Sequence, residues 1–208
     1  LSRGLIKQSQ YPFSTKVFET SKVRTPKSAK RKGSFLDIET ITKIYNYYIE
    51  FDPQTRSDKQ TKEILAIWLF SYLANGMNLA DMVNLKWDRH YFKSGEKELC
   101  FIRQKTKDSS TEEIVIYIPV IDYLKPILSH IGTVPEKNRL IFPFLVNDET
   151  DVRKRIILIA TWSKLISKKM KVVCERLGID EVPSMTFARH SYQTNLAHQK
   201  VPGTYIDQ

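Results

Sequence analysis

A chain of 208 residues with 41% hydrophobic content is long enough to bury one sizeable core and carry an appendage. Its formal net charge of +10 suits a polyanionic partner. No apolar run reaches the length of a membrane span, and the N-terminus lacks the apolar stretch of a secretory signal. The two cysteines, Cys100 and Cys174, lie far apart inside apolar stretches and read as buried thiols of a reducing compartment. None of the four histidines pairs with a cysteine at ligand spacing, which argues against a zinc centre, and nothing in the sequence implies a cofactor.

Residues 1–10 read as the end of a helix that begins mid-pattern without a cap. Residues 11–34 are rich in Pro, Ser and Lys without sustained periodicity and read as an extended basic linker. Residues 1–35 hold nine Lys/Arg, Lys30, Arg31 and Lys32 among them, against the single acid Glu19, so the rest of the chain is nearly balanced. Such an arm fits a segment that crosses a polyanion, and it equally fits a solvated linker that orders on binding.

The remainder, 35–208, reads as one mainly α domain with a small antiparallel hairpin. Asp37 is placed to cap a helix carrying Ile41, Ile44, Tyr45, Tyr48 and Ile49 on one face, broken at Phe51-Asp52-Pro53. A second helix spans about 61–73, with Ile64, Ile67, Trp68 and Tyr72 as its stripe and Ala74-Asn75-Gly76 as its stop. A further helix covers 79–85. Residues 97–104 and 113–119 alternate or are β-branched around a polar turn, the pattern of a hairpin. A short helix over 121–131 and the segment Ile141-Phe142-Pro143 lead to a long helix over 153–177. That helix has Ile156, Ile159, Trp162, Ile166, Val173 and Leu177 on its inner face and Gly178 at its end. The last helix, 185–201, follows Pro183-Ser184 and shows Tyr192, Leu196 and Val201 near helical spacing. Arg189 and His190 in its first turn would aim their side chains and the free backbone N–H groups at one anion-sized spot, unless they are a solvated pair on a helix end.

Four stretches, in this order, carry a family resemblance. Arg189-His190-Ser191, followed by a small-residue helix and Val201-Pro202, resembles the second-arginine box of the tyrosine recombinases, the phage-type integrases. Residues 75–85 (NGMNLADMVNL) are similar to the first-arginine box, residues 102–107 (IRQKTK) to the hairpin lysine motif, and Ile141-Phe142-Pro143 to the segment before the long helix. The phrases FSYLANGMN and FIRQKTK resemble integrases of Bacteroidetes mobile elements most.

The resemblance implies the tyrosine-recombinase catalytic-domain fold, truncated at both ends: 1–10 the tail of a core-binding domain, 11–34 the linker, and 35–208 a catalytic domain without its nucleophile segment. It implies cleavage and rejoining of double-stranded DNA through a 3′-phosphotyrosyl intermediate, or, if catalysis has been lost, a DNA-binding module on the same fold. Arg189 maps onto the second catalytic arginine, Lys105 onto the lysine acid, and Asp81 onto the acidic buttress. Thr186 stands where a histidine is expected, with His190 beside Arg189. Arg103, Thr106 and Lys107, together with the arm residues Lys30, Arg31 and Lys32, are the implied DNA contacts. Self-association on DNA through a segment beyond Gln208, and a bacterial cytoplasmic, nucleoid-associated location, follow from the same likeness.

Two departures stand out. The first arginine falls on Asn78, or on Asn75, leaving Arg103 or Arg89 as substitute clamps. Tyr205 is too close to Arg189 to be the nucleophile.

Overall fold

The computed structural model describes residues 35–102, 115–147 and 150–199. Their elements run in the order α1 (Ile38–Glu50), α2 (Arg56–Leu73), α3 (Leu79–Met82), α4 (Arg89–Lys93), β1 (Glu98–Ile102), β2 (Val115–Pro119), α5 (Lys125–Ile131), α6 (Val152–Leu177) and α7 (Met185–His198). The domain is mainly helical with one two-stranded antiparallel sheet, as the hydrophobic pattern predicts.

The centre of the fold is α2. Seven consecutive residues, Ile64 to Phe70, are fully buried. A single stripe was expected, but α1, α5, α6 and α7 all pack on this helix, so every face is covered. Each large side chain buried there is worth about 1.5–3 kcal/mol. The helix also starts five residues ahead of the periodic pattern. Thr55 Oγ1 accepts from the Asp58 backbone N–H at 3.1 Å, and Asp58 Oδ2 accepts from the Thr55 N–H at 3.2 Å. This capping box holds a polar first turn that has no apolar period to reveal it.

In α1, capped by Asp37, the buried residues are Ile41, Ile44 and Tyr48, while Ile49 is 48% exposed. The stripe is therefore narrower than predicted. Strands β1 and β2 pair with Cys100 opposite Tyr117. Leu99, Ile116 and Ile118 turn inward, and α4 packs against β1.

The long helix α6 buries Ile166, Met170, Val173 and Cys174, all in its C-terminal half. Ile156, predicted to face inward, is 64% exposed beside the exposed Val152 and Ile157. The core is first met at Ile159 and Trp162, so the opening turns of the helix lie past it. Gly178, at φ 63°, ends the helix in a left-handed cap.

The buried face of α7 is Ala188, Ser191 and Asn195, not the predicted Tyr192 and Leu196. Small and polar residues let this helix approach Leu36 closely. Ser191 Oγ accepts from the Leu36 N–H at 2.8 Å, and Asn195 Nδ2 donates to the Leu36 carbonyl at 3.1 Å. Both backbone groups of a buried residue are thus satisfied by side chains. No helix among the described residues is long and apolar enough to cross a membrane.

Candidate nucleic-acid interface

The site is built on the turn between α2 and α3. Asn75 and Gly76 are both left-handed, at φ 57° and 67°. Asparagine and glycine are the residues that adopt this region at least cost. A Cβ on Gly76 would stand 2.9 Å from the Cα of Arg189 and 3.1 Å from its Cγ. The first-box turn and the second-box helix therefore touch at Arg189, with no room for a side chain between them.

Both asparagines of the turn are engaged. Asn75 Nδ2 donates to the Tyr117 carbonyl of β2 at 2.9 Å, and its Oδ1 accepts from the Tyr192 hydroxyl of α7 at 3.0 Å. Asn78 caps α3: its Oδ1 accepts from the Asp81 N–H at 2.9 Å, and its Nδ2 donates to Asp81 Oδ2 at 2.7 Å. Asp81 is buried, 4% exposed, and holds the turn through this reciprocal pair.

Arg189 is half-buried, while Thr186 and His190 are exposed. Because α7 begins at Met185, Arg189 and His190 occupy its second turn rather than its first. The N–H groups of Phe187 and Ala188 are taken by the Ser184 carbonyl, at 3.1 and 3.4 Å. The predicted cluster of Arg189, His190 and free helix-end N–H groups in one turn is thus not formed; Thr186 alone of the named residues sits in that turn. Arg103, Lys105, Thr106 and Lys107, the arm residues Lys30, Arg31 and Lys32, and Tyr205 lie outside the described residues.

A cleft of about 340 Å³ runs from Asp81, Asn84 and Lys86 to Asp88, and on to Ile102 and Val115, the strand ends that flank residues 103–114. Cys100 lines it, its thiol donating to Asp88 Oδ2 at 2.6 Å. Burial, and then the Asp88 carboxylate, push that thiol up to about 12. Arg155, in the first turn of α6, donates to Asn84 Oδ1 and to the Asn147 carbonyl. A guanidinium thus ties Asn84 to the start of α6, which no sequence spacing announced. Arg89, one of the two substitute clamps, lines a different cleft with Phe92, Lys93, Pro135, Glu136 and Lys137, which includes neither Asp81 nor Arg189.

No protein-family model and no curated protein matches the sequence. Among solved structures, the chain is similar to the XerH site-specific recombinase bound to difH substrate in a pre-cleavage complex, with a TM-score of 0.51 and 12% identity. The likeness covers 84% of this chain and 46% of that one, so the chain spans about half the length of the recombinase it resembles. The described residues form a mainly helical domain with the fold of a tyrosine-recombinase catalytic domain.

Proposed function

We propose that this chain belongs to a site-specific tyrosine recombinase and forms the part that binds duplex DNA and activates a phosphodiester for transfer. One observation carries the reading: the 75–81 turn and Arg189, far apart in sequence, meet at Gly76 within a recombinase fold. Arg189 then binds the non-bridging oxygens of the scissile phosphate, where charge grows in the transition state and a planar guanidinium offers two parallel donors. A tyrosine hydroxyl of the recombinase attacks phosphorus through its phenolic oxygen and releases its proton to solvent. The bond to the 5′-oxygen breaks, and Lys105 gives that oxygen its proton. The products are a 3′-phosphotyrosyl link and a 5′-hydroxyl. Attack of a 5′-hydroxyl on the link reverses the step, so rejoining needs no added energy source. Asp81 steadies the turn through Asn78, and the basic residues of 1–35 and 103–107 contact phosphates along the duplex. Self-association on DNA, residence on the nucleoid and carriage by a mobile element complete this reading.

A second reading, a DNA-binding module without catalysis, is favoured by the engagement of Asn75 and Asn78 in structural hydrogen bonds where a first arginine is expected. The exposed Thr186 in place of a histidine points the same way. A nicked suicide substrate distinguishes the two. Trapping of a covalent protein–DNA adduct by the full-length protein, lost in Arg189→Lys, supports the recombinase. Specific DNA binding with no adduct leaves the module.

A further inference from the structure

Arg89 opens on a cleft of about 430 Å³ that has neither Asp81 nor Arg189 in its lining. One wall is α4 and the other is the loop at 135–137, and the backbone holds the two walls together. The Trp87 N–H donates to the Arg139 carbonyl at 2.9 Å, and the Asn138 N–H donates to the Trp87 carbonyl at 2.7 Å. Phe92 gives this cleft an aromatic ring and is 39% exposed. The ring is anchored to the core: Tyr91 meets it at right angles with centroids 5.3 Å apart, and the buried Tyr91 packs on Trp87 at 4.7 Å.

The charges round the ring are of one sign. Arg89, Lys93 and Lys137 line the cleft, and none of their side chains has an ion pair or a hydrogen bond among the described residues. The one carboxylate in the lining, Glu136, is taken by Arg139 at 3.2 Å. Uncompensated cations set round a fixed apolar ring suit a ligand that repeats an anion and a flat aromatic face along one chain. Single-stranded nucleic acid has that pattern, because every unpaired base offers a face and every linkage a phosphate. In a duplex the base faces cover one another, so a duplex would meet the cations and leave Phe92 wet. An acidic polypeptide repeats the charge without the aromatic face.

We infer that this cleft is a binding site for single-stranded nucleic acid, with a base stacked on Phe92 and phosphates on Arg89, Lys93 and Lys137. It shares no residue with the Arg189 turn and does not rest on the recombinase reading, so the adduct assay has no bearing on it.

The test uses the full chain at about 150 mM salt, where binding through exposed cations alone is weakened. The probes are an oligothymidylate, the same strand annealed to its complement, an abasic strand of equal length, and oligoglutamate, each followed by fluorescence anisotropy. Phe92→Ala should weaken oligothymidylate binding roughly 5- to 100-fold, the worth of one stacked base, and leave the duplex and the abasic strand unchanged. Phe92→Trp should bind at least as tightly as the wild type. The double variant Lys93→Gln/Lys137→Gln alters only exposed side chains and should flatten the slope of log K against log salt by about 1.4, or 0.7 for each phosphate contact. Ultraviolet crosslinking of oligothymidylate, mapped by mass spectrometry, should mark the peptide that carries Phe92. No effect of Phe92→Ala, or an equal effect on the abasic strand or the duplex, overturns the inference, as do crosslinks confined to other peptides. Oligoglutamate binding that depends equally on Phe92 would make this an acidic-polypeptide site and overturns it too. If Phe92→Ala does not fold, the lysine pair and the crosslink decide.

Discussion

Gly76 and Gly178 share a left-handed backbone, at φ 67° and 63°, but not an environment. At Gly178 an added Cβ meets nothing within 4 Å, whereas at Gly76 it meets the Cα of Arg189 at 2.9 Å. Gly178→Ala should therefore cost only the backbone penalty, about 1–2 kcal/mol. Gly76→Ala should cost that much and a further 1–3 kcal/mol or so for displacing a packed helix. Urea denaturation of the two variants measures the difference directly. Equal losses would mean that α7 gives way freely and that the contact at Arg189 is soft. At this scale the sequence was legible in its motifs and illegible in its exceptions. Asn75 and Asn78 break the arginine pattern, and no spacing shows that one bridges β2 to α7 while the other caps α3. Those partners lie 42 and 117 residues from Asn75.

Among the helices, α1 and α2 start on carboxylates whose ionisation is tied to folding. The Thr40 backbone N–H, and then the Thr40 side chain, hold Asp37 below the usual carboxylate range. The Thr55 hydroxyl does the same for Asp58, with lesser help from the Thr55 N–H, Arg176 and Lys169. Groups whose folded pKa is depressed stabilise the protein above their unfolded pKa, near 3.9 for aspartate, and lose that contribution as pH falls through the folded value. Urea midpoints taken from pH 6 down to pH 2 should decline through the region below about pH 4. Asp58→Asn should make that decline shallower, and an identical acid limb in wild type and variant would remove Asp58 from the account. The caps also show what periodicity can reveal. Asp37 stood directly before an apolar stripe and was readable, whereas Thr55 and Asp58 stood before a polar turn and were not. Likewise Ile156 has the right spacing for the inner face of α6 but lies in turns that reach past the core, a fact set by tertiary packing.

For the whole molecule, charge is the dominant property: a net +10, with nine Lys/Arg and one acid in residues 1–35. Duplex binding by this chain should be weak and steeply salt-dependent, losing affinity on the order of 10³ between 50 and 200 mM salt through counterion release. Deleting residues 1–32 should lower affinity across all sequences and flatten the slope of log K against log salt. Fluorescence anisotropy over a salt series tests both, and an affinity that stays flat would exclude phosphate contact as its source.

The hydrogen bond from Cys100 to Asp88 has a practical consequence. With that thiol pushed up to about 12, and the buried Cys174 up to about 11, both native sulfurs are poor nucleophiles near neutral pH. The Cys100 thiolate fraction at pH 7.5 is on the order of 10⁻⁴ or less, against about a tenth for an ordinary thiol. A cysteine placed at the exposed His198 should therefore take up maleimide orders of magnitude faster than either native thiol, as mass spectrometry of a brief labelling reaction would show. A dye or spin label can then report on α7 as DNA is added, with the wild-type cysteines left in place.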